Sequence, residues 1–165
     1  YHSSFGINLN IIRPFNTYGP RQSLRAIIPT ILSQLVGDKK EIEVGSLEPI
    51  RDFTYVDDTC DAYLKLINTK TKFGEIFNIG NNKSISIEQL ITQLFEITGI
   101  RKQIKINNDR IRPKDSEVQE LKCNFDKFKN ISKWKPSTNL KKGLELTYNW
   151  FLENNKDFKK YDYHI

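Results

Sequence analysis

The feature that most constrains this fold is an alternation of two hydrophobic patterns along the chain. Short runs rich in Ile, Val and Phe, of the kind that form strands, are "INLNIIRPF", "EIEVGS" and "EIFNIG". Between them lie longer stretches such as "RAIIPTILSQLVGDKK" and "SIEQLITQLFEITG", whose apolar residues recur every three or four positions, as on one face of a helix. Alternating strands and helices predict an α/β domain with layers of both kinds.

Turn and cap residues predict where several of these elements begin and end. Gly6 is expected to end a helix over residues 1–5, and Pro14 closes the buried strand that follows. Gly37 is expected to stop the next helix. The clearest helix has Ser86 as its N-cap and Gly99 as its C-cap.

The remaining elements are predicted from shorter patterns. "RDFTYV" is expected to be one half-buried strand, followed by a helix that uses Asp57 or Asp58 as its N-cap. "KQIKIN" is expected to be a strand and "NFDKFKNISKW" a short helix, with a last helix over "NLKKGLELTYNWFLENN". The aromatic residues of this region are expected to form a core contact between the last two helices: Phe125, Phe128, Trp134 and Trp150.

Charge and cysteine content limit the possible partners and compartments. The 165 residues include 26 Lys and Arg against 20 Asp and Glu, a formal charge of +6 that favours anionic partners. The lysines are scattered, as on a solvated surface, and no nucleic-acid-binding motif occurs, although a basic nucleic-acid-binding module remains an alternative. Cys60 and Cys123 match neither a disulfide framework nor a metal spacing, and no apolar run approaches a membrane span. A cytoplasmic protein with no metal and no membrane contact is expected.

The segment "IIRPFNTYGPRQS" offers the strongest local indication of a ligand site. It begins as a buried strand and ends as a polar loop, and open α/β sheets bind ligands where their strands end. Asn16, Tyr18 and Arg21 supply an amide, a phenol and a guanidinium, which suit sugar hydroxyls and phosphate oxygens. The alternative is a purely structural loop in which Gly19 and Pro20 turn the chain.

Five motifs, in order, resemble the signatures of extended short-chain dehydrogenase/reductases, which include nucleotide-sugar epimerases, dehydratases and decarboxylases. They are "RPFNTYGPRQS", "GSLEPIRDFTYVDDT", "GEIFNIGNNKSISIEQL", "RPKDSEVQ" and "KWKPSTNLKKGLELTYNWF". The first motif, with the "IIPTI" that follows, is most similar to bacterial NAD-dependent 4,6-dehydratases that act on UDP-N-acetylglucosamine-type sugars in legionaminic acid and related surface-glycan pathways.

The resemblance implies that residues 1–165 form the C-terminal, substrate-binding portion of an extended Rossmann-type fold, with the last sheet strands and a small α/β lobe. Neither the family's Gly-rich phosphate turn nor its catalytic Tyr-x-x-x-Lys pair occurs in this sequence. The N-terminal NAD-binding part is therefore expected to be absent, with no catalytic residue and no turnover in this chain alone. The whole protein is expected to bind NAD and to form a homodimer.

The resemblance also assigns binding residues. Pro14 and Phe15 would contact the cofactor, with Phe15 near the nicotinamide ring. The residues expected to bind the nucleotide sugar are Asn16, Arg21, Ile28, Arg51, Asn78 and Arg112. Ile28 is equally explained as a core residue and Asn78 as a turn residue.

Arg51 is the principal candidate, because a guanidinium matches a phosphate group in bidentate fashion where an ammonium does not. The alternative is a surface ion pair with Asp52 or Asp58. The motif of Arg112 has Lys114 where the family's "RPGD" pattern has Gly, and Arg110 is a possible substitute for Arg112. A 4,6-dehydratase is the expected activity; a 4-epimerase and a UDP-glucuronate decarboxylase, which share the first oxidation of the sugar, are the alternatives.

Overall fold

The computed structural model of the chain describes residues 1–111, 113 and 116–154. Its helices are His2–Phe5 (α1), Ile27–Val36 (α2), Val56–Ile67 (α3), Ile87–Thr98 (α4), Asp126–Ser132 (α5) and Leu140–Glu153 (α6). Its strands are Ile11–Pro14 (β1), Thr17–Tyr18 (β2), Glu41–Val44 (β3), Ile50–Asp52 (β4), Thr54–Tyr55 (β5), Ile76–Ile79 (β6), Ser84–Ser86 (β7), Gln103–Ile106 (β8) and Glu120–Leu121 (β9). The predicted α/β fold is confirmed.

Most strand pairs are parallel and join segments far apart in sequence. β1 pairs with β6, β2 with β5, and β3 with β8, all in parallel. β4 lies between antiparallel β7 and parallel β9, with Arg51 opposite Leu121. Because parallel strands end at the same edge, this topology brings several strand ends together.

The predicted helix boundaries are confirmed where caps are strong. Ser86 accepts a hydrogen bond from the Gln89 amide at 3.1 Å, and the Gln89 side chain accepts one from the Ser86 amide at 2.9 Å. This capping box satisfies two amides that the first turn leaves unpaired. Gly99 ends α4 with φ 69°, and Gly6 ends α1 with φ 66°.

The segment after Pro49 differs from the prediction in two ways. "RDFTYV" is not one strand, because β4 and β5 are separated at Phe53 and pair with different partners. Neither Asp57 nor Asp58 is an N-cap: α3 begins after Tyr55, without a side-chain cap.

Asp58 is buried and instead ties α3 to the loop that precedes α6. Its carboxylate accepts hydrogen bonds from the Ser137 amide (2.9 Å), the Ser137 hydroxyl (2.7 Å) and the Thr138 amide (3.0 Å). Three donors to one carboxylate compensate for its loss of water.

The buried side chains form two clusters. We call the larger one the first core: Tyr18, Ile28, Ile31, Leu32, Leu35, Ile42, Val44, Phe53, Tyr55, Ile87, Leu90, Ile91, Leu94, Leu144 and Phe151. We call the smaller one the second core: Ala62, Phe77, Ile79, Phe128 and Trp134. The apolar faces of α2, α4 and α6 pack in the first core, while β6 and α5 pack in the second.

The aromatic residues predicted to join the last two helices are divided between these cores. Trp134 contacts Phe125 and Phe128, with ring centroids 5.5 and 5.8 Å apart. Trp150, on α6, packs against the first core instead. The prediction of a single contact between the last two helices is therefore wrong, because Trp134 and Trp150 belong to different cores.

β1 is more exposed than the buried strand predicted from its isoleucines. Ile11 is 44% exposed and Pro14 is exposed, whereas Phe77 and Ile79 on the neighbouring β6 are 1% and 0% exposed. Among the described residues, β1 has a strand on one edge only, that of β6. No described helix combines the length and hydropathy needed to cross a membrane.

Candidate functional site

A cavity of about 370 Å³ lies where several strands end beside the first core. Asn16 reaches it from just beyond β1, Gly45 and Ser46 from the end of β3, and Arg51 from β4, while the first turn of α2 contributes Ile28. Three predicted substrate-binding residues, Asn16, Ile28 and Arg51, thus line one cavity. Its volume is in the range typical of small-molecule sites.

Asn16 is held in place by the strand beside it. Its side-chain amide donates to the backbone carbonyl oxygen of Asp52 at 2.9 Å, and the backbone carbonyl oxygen of Asn16 accepts from the Thr54 amide at 3.3 Å. The Asp52 carboxylate is fully buried and accepts from the amides of Asn81 (2.8 Å) and Cys123 (3.1 Å). Burial raises the pKa of Asp52, against the opposing effect of these amide donors.

Two backbone carbonyls hold the Arg51 side chain at the cavity. Its Nη1 donates to the carbonyls of Ile50 (2.9 Å) and Gln119 (3.4 Å). Its Nη2 donates to Glu117 Oε1, forming an ion pair within the cavity. Arg51 therefore does form an ion pair, but with Glu117, 66 residues away and inside the cavity, rather than the alternative surface pair with Asp52 or Asp58.

Two further arginines line the same cavity. Arg110, named as a possible substitute for Arg112, donates from Nη1 to the Glu43 carbonyl at 2.7 Å. The backbone of Arg110 also lies close to Gly45. Only a glycine fits there, since a Cβ at this position would lie 2.5 Å from the Arg110 carbonyl oxygen. Arg25, which the sequence did not single out, lines the cavity from the turn before α2.

Gln22 is a second residue that sequence reasoning missed. Its Nε2 donates to the Thr17 carbonyl at 2.8 Å, which fixes the orientation of the amide. Its Oε1 is buried and lacks a hydrogen-bond partner among the described residues, and Gln22 lines the cavity. A buried acceptor without a partner is costly, so a ligand N–H or O–H at this position would be stabilised. The signal was its place in the "RPFNTYGPRQS" motif.

Arg21 does not line the cavity, contrary to expectation. It is exposed and has φ 64° in the turn after Pro20, whereas Arg25 lines the cavity. Ile28 is 1% exposed and belongs to the first core as well as to the cavity wall, so both of its interpretations apply.

The other predicted residues lie elsewhere. Asn78 is half-buried on β6 opposite Arg13 and is not part of the cavity wall. Pro14 and Phe15 lie at the end of β1, where the Phe15 amide donates to the Ile79 carbonyl at 2.8 Å. Arg112 lies outside the described residues.

A larger cavity, of about 540 Å³, lies between α4 and the start of α6. Lys83, Glu96 and Lys141 supply its charged groups, and all three side chains are exposed. None of the predicted site residues lines it. We therefore take the smaller cavity as the candidate site, because it combines oriented guanidinium and amide groups with an apolar wall.

Comparison with known proteins identifies relatives over nearly the whole chain. The family described as GDP-mannose 4,6 dehydratase matches residues 1–147. Human dTDP-D-glucose 4,6-dehydratase is 28% identical over 162 residues, which cover 96% of this chain and 46% of that protein. A UDP-N-acetyl-alpha-D-glucosaminuronate decarboxylase from Bacillus cytotoxicus is 27% identical over 157 residues, covering 92% and 49%.

A solved structure has the same fold. The UDP-glucuronic acid 4-epimerase from Bacillus cereus, in complex with UDP-glucuronic acid and NAD, superposes with a TM-score of 0.85 at 28% identity, covering 93% of this chain and 48% of the epimerase. The chain thus spans about half the length of the relatives it matches. It belongs to the GDP-mannose 4,6-dehydratase family, among the nucleotide-sugar epimerases and dehydratases of the short-chain dehydrogenase/reductase superfamily.

Proposed function

We propose that this chain binds the nucleoside diphosphate of a nucleotide sugar, as the substrate-binding part of an NAD-dependent enzyme. The observation that carries the proposal is the convergence of Asn16, Arg51 and Arg110 on one cavity. Guanidinium groups bind diphosphate oxygens, and an amide binds oxygens of phosphate or sugar. The apolar wall at Ile27 and Ile28 suits the face of a nucleobase.

For the reaction, a 4,6-dehydratase acting on a UDP-N-acetylhexosamine, in the biosynthesis of a surface-glycan precursor such as legionaminic acid, is our first candidate. It is supported by the resemblance of "RPFNTYGPRQS" and "IIPTI" to such enzymes. A 4-epimerase and a sugar-nucleotide decarboxylase are equally compatible with the cavity. All three bind a nucleoside diphosphate and differ in the groups that act on the sugar ring.

NAD is the proposed cofactor of the whole protein, where it would accept hydride from the sugar and return it. Of the residues in this chain, Pro14 and Phe15 at the end of β1 would contact it. The eight glycines stand singly, and no Tyr-x-x-x-Lys pair is present. The chain therefore fits one edge of a dinucleotide site, and its own contribution is to bind and orient the substrate.

The proposal is tested by titrating the chain with UDP, uridine and a single-stranded DNA oligonucleotide at two salt concentrations. We expect UDP to bind at least about tenfold more tightly than uridine, because charged hydrogen bonds to the diphosphate contribute most of the affinity. UDP should also be preferred over DNA at both salt concentrations. Tight DNA binding that falls steeply with salt, with no UDP binding, would instead indicate a nucleic-acid-binding module.

A further inference from the structure

The carboxylate of Glu117 lies inside the cavity proposed for the diphosphate. Among the described residues that line the cavity, Glu117 is the one acid, beside Arg25, Arg51 and Arg110. The side chains of Arg51 and Glu117 are 12% and 16% exposed, so their ion pair is largely screened from water. A partly desolvated pair interacts more strongly than one on the open surface.

The hydrogen bonds of Arg51 divide its guanidinium into two sides. Nη1 is bound to the carbonyls of Ile50 and Gln119, which hold the group against the β4–β9 pair. Nη2 donates to Glu117. The side that binds the carboxylate is therefore the side available to any other anion in the cavity.

We propose that Glu117 is a built-in competitor that occupies the anion-binding side of Arg51 until a diphosphate displaces it. This inference rests on the proposed function. A diphosphate carries more charge than a carboxylate and can use Arg25 and Arg110 as well, so it can replace Glu117 where a neutral ligand cannot. The cost of displacing Glu117 lowers the affinity for the diphosphate while keeping Arg51 neutralised in the ligand-free protein.

The experiment is a titration of the full chain and its variants with UDP and with inorganic pyrophosphate. Glu117→Gln removes the competing charge and keeps the side-chain shape, so both probes should bind roughly fivefold more tightly. Glu120→Gln is the matched control. Glu120 is an exposed acid on β9 that accepts from the Ser84 hydroxyl at 3.2 Å and does not line the cavity, so its replacement should leave both affinities unchanged.

A double variant separates competition from a merely structural role. In the Arg51→Ala background, Glu117→Gln should bring a smaller gain in affinity than in the unmodified chain, because only the direct repulsion between the carboxylate and the diphosphate is left to relieve. An equal gain in both backgrounds would overturn the competition for Arg51. Circular dichroism establishes that each variant is folded, and Glu117→Ala replaces Glu117→Gln if the latter is not. Equal or weaker binding by the Glu117 variant, with clear binding by the unmodified chain, would overturn this inference alone. No binding of either probe by any form would overturn the proposed function with it.

Discussion

The first and second cores differ in how completely they enclose their strands. On β3, Ile42 and Val44 are 0% and 1% exposed, and the first core supplies apolar residues such as Val44 and Ile28 to the cavity wall. In the second core, β6 is equally buried, but its neighbour β1 leaves Ile11 44% exposed. The candidate cavity therefore lies beside a closed core, whereas β1, which ends just before Phe15, lies at an open edge.

This difference indicates which property the chain can express by itself. The residues proposed to bind the diphosphate, Asn16, Arg51 and Arg110, are each positioned by hydrogen bonds within the described residues. The residues proposed to contact the cofactor, Pro14 and Phe15, lie instead at the end of β1, which among the described residues has a strand on one edge only. Substrate binding and cofactor binding are thus expected to be separable.

The largest effect is expected from Trp134→Ala, which empties the middle of the second core. Trp134 is 1% exposed, and its loss should lower the free energy of unfolding by about 3–5 kcal/mol, measured by urea denaturation. Trp150→Ala, at the half-buried edge of the first core, is the control and should cost less. If folded Trp134→Ala protein no longer bound UDP, UDP binding would depend on the second core, contrary to this account.

The next largest effect is expected from Asp58→Ala, which removes the hydrogen bonds between α3 and the loop before α6. It leaves the amides of Ser137 and Thr138 without their acceptor, which should cost about 2–3 kcal/mol. Asp57→Ala is the matched control, because Asp57 is exposed in the same helical turn and should cost no more than about 1 kcal/mol. Equal costs in thermal unfolding would contradict the account.

A smaller, pH-dependent effect is expected at Asp52, whose backbone holds Asn16 and whose carboxylate accepts from the amides of Asn81 and Cys123. Because burial raises its pKa, the folded state keeps the Asp52 proton at pH values where the unfolded state has lost it. Its contribution to stability is present below its ordinary pKa and is lost as the pH rises through the folded-state pKa. The stability of the unmodified chain relative to Asp52→Asn should therefore fall as the pH rises from below the ordinary pKa of an aspartate through the folded-state pKa. A relative stability that rises over this range would show that the amide hydrogen bonds outweigh burial.

The smallest expected effect is a difference in reactivity between the two thiols, which requires no mutation. Cys60 is exposed, whereas Cys123 is buried and its pKa is raised to about 12, chiefly by burial. At neutral pH one thiol should react rapidly with a disulfide reagent in the folded protein, and the second only after unfolding. Rapid reaction of both thiols would show that the segment between β9 and α5 opens readily.

The parts of the fold that could be predicted are those set by local sequence. The capping box of α4 and the apolar stripe of α2 are local sequence patterns, and both helices were predicted from them. The short strands β2, β7 and β9 were missed, because two or three residues carry no periodicity and their pairing depends on distant partners.

In the candidate site, too, some features follow from local motifs and others depend on distant parts of the chain. Asn16, Ile28 and Arg51 were named from the family resemblance of their motifs, and the structure brings them to one cavity. The left-handed backbone at Arg21 and the pairing of Arg51 with a residue 66 positions away arise from tertiary structure. No local pattern distinguished Arg25 from Arg21.

The most direct test of the account is the affinity of UDP for Arg51→Ala and Arg21→Ala, measured by calorimetry beside the unmodified chain. Both changes remove one guanidinium, but Arg51 lines the cavity and Arg21 does not. We expect Arg51→Ala to lose about 1.5–3 kcal/mol of binding free energy and Arg21→Ala to bind as the unmodified chain does. Equal losses in the two variants, or none in Arg51→Ala, would contradict the claim that this cavity holds the diphosphate.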